Sequence, residues 1–300
     1  MNKLFFSIIL PTYNRLYSLK KIFLPGLEKQ GFLDYELIII DDGSSDGTKE
    51  YFKNGEFKKT FKRCGGKLKY IKSDNNKGAP TSRNKGAALA KGEWLWIVED
   101  DVQIDDVDFL EKSKNVICGI DNNIAVVSPK RREIIKTGYY KNPKNDFVRI
   151  GVLSGEIYLD PNQEYSRYVS NTHASSFIKK KIFNKFQEDE KLFYGNTYRD
   201  ESDLYFRIVK SGYKIYYCGD VLKIIHRNDF ARCGGQKKVA MQSLLKRKIM
   251  IFKNHYLYLN KNYNFPKIRI LFFVLVRIVR FLGDIMRLKF INPLLAYIKL

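Results

Sequence analysis

The chain has 300 residues, a formal net charge of +22, and 44% hydrophobic and 14% aromatic residues. That apolar content is enough for a large core and excludes a disordered chain. Four cysteines, Cys64, Cys118, Cys218 and Cys233, lie far apart with no Cys-x-x-Cys pair, which argues against a zinc site and a disulfide framework. A reducing, cytoplasmic setting is the expectation.

The opening MNKLFFSIIL places a lysine before an apolar run, as a signal peptide does. The run is short, ends at Pro11 and lacks a small-residue cleavage site, so it reads as a first β-strand. The runs YELIIIDD, KLKYIKS and WLWIVEDD follow, separated by the more helical or turn-rich LYSLKKIFLPGLEKQ, DGTKEYFKN and APTSRNKGAALAKG. Apolar strands alternating with such segments predict an α/β fold with a mostly parallel sheet covered on both faces. Ligands of open sheets collect outside the carboxyl ends of the strands. Two of those ends are acidic, with Asp41 and Asp42 closing the second run and Glu99, Asp100 and Asp101 closing WLWIVEDD. Like charges gathered at one sheet edge repel unless something offsets them. A divalent metal carrying a diphosphate fits, because hard cations take oxygen ligands. Taken singly, each cluster also reads as a helix cap or a solvated loop. Neither a Walker pattern nor GxGxxG is present.

Four segments in order, SIILPTYNR, LIIIDDGSSDGT, NNKGAPTSRNKGAALAKGEWLWIVEDDV and YRDESDLYFRIVKSGYKIYY, resemble the successive motifs of glycosyltransferase family 2. These are inverting nucleotide-sugar transferases with the GT-A fold, and the resemblance covers about residues 4–226. It implies one domain over residues 1–235, with a nucleotide-binding half at 1–114 and an acceptor half at 115–235. Pro11, Thr12 and Tyr13 then sit in the loop that contacts the nucleobase, with the tyrosine ring as a stacking surface for uracil. Asp42, with Asp41 beside it, matches the acid that reads the base or ribose. Arg83 matches an arginine close to the nucleotide; Asn84 either shares that role or caps its helix. Glu99, Asp100 and Asp101 occupy the DxD position, here with glutamate first. Asp101 is the expected ligand of Mn²⁺ or Mg²⁺, Asp100 faces the ribose or the metal, and Glu99 and His226 are the further metal candidates.

An inverting transfer needs a base to take the proton of the attacking hydroxyl. The resemblance supplies it from the acidic pair ahead of DLxxR, here Asp200 and Glu201 in reversed order; position points to Glu201 and shape keeps Asp200 open. Read alone, Asp200, Glu201 and Asp203 are an acidic helix N-terminus stabilised by the macrodipole. His173 lies where donor and acceptor sugars should meet, or else packs in the core, and His255 has no motif around it. Relatives that polymerise sugars carry QxxRW; CGGQKKVAMQ has Gln236 without the RW, which implies addition of a single sugar. UDP is the expected nucleotide, as the commonest in the family, with GDP and dTDP open. The expected acceptor is a hydroxyl of a glycan or lipid-linked molecule in cell-surface polysaccharide or glycoconjugate synthesis.

From Lys237 onward, fourteen Lys and Arg accompany a single acid, Asp284, which sets residues 236–300 apart as a basic helical tail. KIRILFFVLVRIVRFLGDIMRLKF is apolar, but Arg277 and Arg280 interrupt it, against a spanning helix. Arg277, Arg280, Asp284 and Arg287 step onto one helical face opposite Leu, Phe, Val and Ile. That is the pattern of an amphipathic helix lying on an anionic membrane, with the protein peripheral on the inner face; packing on the catalytic domain or a dimer partner is the other reading. A nucleic-acid-binding protein would suit the basic, aromatic composition, yet no RNP, KH or zinc-finger signature accompanies the charge. A sugar nucleotidyltransferase would need a glycine-rich triphosphate loop in the first turn, and PTYNRLYS is not one.

Overall fold

FSIILPT and YELIIID offer no polar alternation that would leave one face in water, so each run forms a strand buried on both sides. They are β1 (Phe6–Thr12) and β2 (Tyr35–Asp41). The computed structural model describes residues 4–55, 57, 67–135, 138–139, 148–150, 157–159, 163–193, 199–228 and 244–263, with the single helical positions 275, 279 and 283. β1 pairs in parallel with β2 and with β4 (Trp94–Ile97), and β2 pairs with β3 (Leu68–Lys72). This register sets Thr12 beside Asp41, and β4 ends shortly before Glu99. The acidic strand ends therefore share one sheet edge.

The remaining strands are β5 (Val102–Gln103), β6 (Ile124–Ile135), β7 (Gly138–Tyr139), the paired β8 (Val148–Ile150) and β9 (Ile157–Leu159), β10 (Ser166–Val169), β11 (Phe177–Lys179) and β12 (Lys214–Arg227). The main sheet runs β10-β12-β6-β11-β4-β1-β2-β3, with β5 on β12 and β7 on β6. The sheet is mixed rather than mostly parallel: β11 lies antiparallel to both β4 and β6, β10 and β5 lie antiparallel to β12, and β7 lies antiparallel to β6. β12 then returns parallel to β6, with its register shifted between Cys218 and Lys223. That shift sets His226 opposite Glu133.

The helices are α1 (Leu16–Ser18), continued by a π-helical segment Leu19–Phe23 into α2 (Leu24–Glu28), then α3 (Thr48–Lys53), α4 (Ala79–Leu89), α5 (Phe109–Cys118), α6 (Lys180–Phe186), α7 (Asp200–Lys210) and α8 (Leu244–Asn262). Alternate strand residues feed two cores. Phe6, Ile8, Leu10 and Trp96 meet Phe23 and Phe109 on one face, and Ile9, Leu95 and Ile97 meet Ala87, Phe183 and Tyr205 on the other. A methyl group at Gly86 would stand 2.5 Å from Ile9 Cγ2, so α4 lies directly on β1. Arg83, one helical turn earlier, is thereby carried toward the strand ends.

Of the basic tail, residues 244–263 contribute α8, which docks Tyr258 and Leu259 against Phe193 and Phe206. The boundary near 235, and Arg277, Arg280, Asp284 and Arg287, lie outside the described residues. Among those described, no helix is long and apolar enough to cross a membrane.

Candidate active site

The loops after β1 and β2 are stapled together. Asn14, in left-handed backbone with φ 51°, accepts the Ser45 amide on its Oδ1 at 2.7 Å and donates its own amide to Ser44 Oγ at 2.8 Å. The Leu16 amide, at the start of α1, donates to Asp46 Oδ2 at 2.9 Å. This turn brings Arg15 to the end of β4, where Nε donates to Asp100 Oδ1 and Nη2 to Asp101 Oδ2, each at 2.5 Å. Thr12 Oγ1 donates to the other oxygen of Asp100 at 2.8 Å. Arg15 is the cation that the sequence reading sought beside the acids, and it went unassigned although it closes the PTYNR segment.

With Oδ2 of Asp101 engaged by Arg15, Oδ1 is left to face His226 Nε2, 3.2 Å away. Glu99 Oε2 stands 3.8 Å from the same nitrogen. These three atoms lie within 4.8 Å of one another, and all three are buried without a hydrogen bond. Three convergent ligand atoms, two carboxylate oxygens and one imidazole nitrogen, are of the kind that fit a divalent cation. Residues 99, 101 and 226, far apart in the chain, are brought together here. His226 was expected beyond a strand; it lies within β12, between Val102 of β5 and Glu133 of β6.

Charge balance supports the same picture. Burial works against a charged His226, but Asp101 and Glu133 outweigh it and push the imidazole up to about 10. Burial raises Asp101 too, and there the charges of His226 and Arg15 win and hold its carboxyl below the usual range. Without a metal the imidazolium serves as the cation. A metal bound here would take the neutral imidazole, so its binding would release a proton.

A second cluster is assembled from α4 and α7. Arg83 Nε stands 3.1 Å from Glu188 Oε1, and Nη2 donates to Asp200 Oδ2. All three residues are at most 5% exposed. Asn84 clamps Glu188 for Arg83: its Nδ2 donates to the Glu188 carbonyl at 2.9 Å and its Oδ1 accepts the Glu188 amide at 3.0 Å. Burial, and then the charge of Asp200, push Glu201 well above the usual carboxylate range. Asp200 is also penalised by burial, yet Arg83 and hydrogen bonds hold it below that range. Two adjacent carboxyls driven apart in this way are typical of acid and base assignments. Asp200 is fully buried and tied to Arg83, whereas Glu201 is partly exposed. Glu188, Asp200, Glu201 and Glu99 together outweigh burial and raise the Arg83 pKa, so this guanidinium feels both clusters.

Other singled-out residues serve the frame. Asp42 accepts the amides of Lys77 and Gly78 at 2.9 and 2.7 Å, holding the start of α4. Asp41 accepts the Ser44 amide at 2.7 Å and the Tyr70 hydroxyl, and none of it is exposed. Pro11 and Tyr13 are partly exposed at the end of β1. His173 is buried with Nε2 2.9 Å from the Pro129 carbonyl, and burial drives it down to about 3. His255 Nδ1 accepts from Arg199 Nε at 3.3 Å. Gln236 lies outside the described residues. The sequence reading missed Arg15, Glu133 and Glu188; only Arg15 lay in a quoted motif.

A curled α/β sheet with acids at the carboxyl ends of its strands is the architecture of the GT-A transferases. Staphylococcus aureus TarS in complex with UDP-GlcNAc shares it with a TM-score of 0.61 at 18% identity, over 95% of this chain and 76% of that one. The mannosyltransferase PcManGT from Pyrobaculum calidifontis, in complex with GDP-Man and Mn²⁺, shares it at 0.57 and 16%, over 87% and 66%. The family model of glycosyl transferase family 2 matches residues 7–187, and the chain belongs to that family. It is a glycosyltransferase. The GalNAc(5)-diNAcBac-PP-undecaprenol β-1,3-glucosyltransferase of Campylobacter jejuni is 26% identical over 77% of this chain and 68% of its own length. The poly(ribitol-phosphate) β-N-acetylglucosaminyltransferase TarP of Staphylococcus aureus is 29% identical over 61% and 54%. The family match ends before Asp200 and His226.

Proposed function

We propose that the protein is a metal-dependent inverting glycosyltransferase that moves one sugar from a nucleotide diphosphate sugar, UDP first among them, to a hydroxyl of a lipid-linked or polymeric glycan acceptor. The observation that carries this reading is the convergence of three ligand atoms, from Glu99, Asp101 and His226, at the sheet edge. The mixed oxygen and nitrogen donor set suits Mn²⁺ better than Mg²⁺. When bound, the metal offsets the charge that develops on the departing diphosphate.

The chain's own residues supply the rest. Pro11, Thr12 and Tyr13 form the floor under the base, with the Tyr13 ring available to stack. Arg15 and Thr12 fix Asp100 toward the ribose, and Arg15 on Oδ2 of Asp101 turns Oδ1 toward His226, where the metal would sit. Asp42, with Asp41 shaping the turn beneath it, sets the start of α4 near the nucleotide. Glu201 takes the proton of the acceptor hydroxyl as that oxygen attacks the anomeric carbon from the face opposite the diphosphate. Asp200, neutralised by Arg83, stays ionised beside it. In this division residues 1–114 hold the nucleotide and 115–235 meet the acceptor. The names of the Campylobacter and Staphylococcus relatives support a lipid-linked or polymer acceptor.

The test is the product. With Mn²⁺, the protein is offered α-linked UDP-glucose, UDP-GlcNAc and UDP-galactose with undecaprenyl-diphosphate-linked and polymeric glycan acceptors. Proton NMR is expected to show one β-linked sugar added per acceptor; an α-linked product contradicts inversion. Pyrophosphate release from UTP and a sugar phosphate would instead make it a nucleotidyltransferase, and salt-dependent RNA binding without nucleotide-sugar binding would favour the nucleic-acid reading.

We also place the basic tail on the inner face of an anionic membrane, where a lipid-linked acceptor would be found. A chain truncated near residue 264 is expected to lose partitioning to anionic liposomes; equal partitioning contradicts this role.

A further inference from the structure

Helix α8 lies beyond both the family match and the sugar-transferase motifs, yet it holds the segments that carry the acid pair. Lys261 Nζ donates to Asp189 Oδ2 at 2.8 Å and to Asp203 Oδ2 at 2.9 Å. Asp189 follows Glu188, which pairs with Arg83; Asp203 stands on the first turn of α7, just after Asp200 and Glu201. One ammonium thus spans both arms of the buried Arg83 cluster. Asn262 adds a bond from Nδ2 to Asp203 Oδ1 at 2.7 Å. Asp203 has no exposed surface, and Arg207 completes its partners at 2.9 Å. Immediately ahead of Asp200, Arg199 is held in left-handed backbone with φ 82°, a conformation that an ordinary side chain adopts only when its surroundings fix it. His255 of α8 accepts from its Nε.

We infer that α8 is a positioning element of the transfer site, and that Lys261 is its positioning residue, setting the spacing between the Glu188 turn and the N-terminus of α7 and so the orientation of Glu201. The inference rests on the reading of Glu201 as the base. Lys261 bonds to the Glu188 turn and to α7, whereas the proposed nucleotide and metal residues stand at the carboxyl edge of the sheet, so donor binding is expected to be spared. A base misplaced by a fraction of an ångström slows proton transfer without weakening donor binding.

The experiment uses the full chain with Lys261→Met, which keeps the stem and removes the ammonium, beside Lys261→Arg and Asn262→Ala. Asp203 retains Arg207 in each, so these variants are expected to fold. With the UDP-sugar that the wild type turns over, Lys261→Met should lower kcat about tenfold and leave the donor KM within about twofold, and Lys261→Arg should restore most of the loss. Amide hydrogen exchange at residues 188–189 and 199–203 should quicken in Lys261→Met, with β1 and β4 unchanged. Unchanged kcat, or an equal loss in kcat and donor affinity, overturns the inference. Unchanged exchange at 199–203 overturns it without reference to turnover, whereas a Glu201→Gln enzyme with wild-type kcat, while exchange responds to Lys261→Met as expected, refutes the assignment of the base and leaves the α8 tie standing.

Discussion

Glu201→Gln is expected to lower turnover by about 10²–10⁴-fold, the usual worth of a positioned general base, while UDP affinity in the presence of Mn²⁺ stays at the wild-type value. Glutamine keeps the shape and removes only the basic oxygen. Burial and the neighbouring Asp200 already raise Glu201 well above the usual carboxylate range, so wild-type kcat/KM should climb with pH through that raised pKa. The variant should lose this acid limb. The sign for stability is opposite. A carboxyl whose folded pKa lies above its unfolded value of 4.5 stabilises the fold fully below that value, and the contribution is lost as pH rises through the folded pKa. Glu201→Gln should therefore flatten the fall in stability on the alkaline side. Asp200→Asn is a different lesion. It leaves Arg83 buried without one of its two carboxylates, and breaking such a pair costs about 3–5 kcal/mol, so its loss of activity should come with a lowered Tm. A Glu201→Gln enzyme with wild-type kcat and an intact acid limb would remove Glu201 from the chemistry.

The second large effect is expected from Asp101→Ala. This residue links two cations of the strand edge, Arg15 through Oδ2 and His226 through Oδ1. Its removal deletes the central ligand and returns His226 toward an ordinary imidazole, because Asp101 is the largest source of its raised pKa. Several kcal/mol of leaving-group stabilisation would go with the metal, so turnover should fall at least about 10³-fold. Added Mn²⁺ should not restore it. Glu99→Gln should be milder, since that side chain is 41% exposed and keeps an oxygen that can still ligate. Equal turnover in wild type and Asp101→Ala would place the metal, or the need for one, elsewhere.

The chain announced its strands plainly because β1, β2 and β4 are continuous apolar runs that only a covered sheet accommodates, and the acids at their ends mark the ligand edge by the same logic. His226 was legible only through the motif resemblance: nothing local to VLKIIHRND reveals that β12 pairs with β5 and β6, and that long-range register is what carries the ring to Asp101. Arg15 was within reach, since a basic chain with a triple acid needs a partner and PTYNR holds one. Glu188 was not, because its role depends on Asn84 clamping its backbone across more than a hundred residues of sequence. The antiparallel β11 was missed for a related reason: three residues of FIK carry no direction, which is set by the neighbours they join. Asn84 and His173 show the converse. Each sits in a suggestive segment, and the contacts that hold it, to Glu188 and to Pro129, join parts of the chain far apart in sequence.

The measurement that bears most directly on the central claim is calorimetric titration of UDP, GDP and dTDP into the wild type and Asp101→Ala, each with and without Mn²⁺. The wild type is expected to bind one of these nucleotides, UDP first, with an affinity that depends on Mn²⁺, and Asp101→Ala is expected to abolish this dependence. Binding that is indifferent to Mn²⁺, or unchanged in the variant, would contradict a metal-held diphosphate at the carboxyl edge of the sheet.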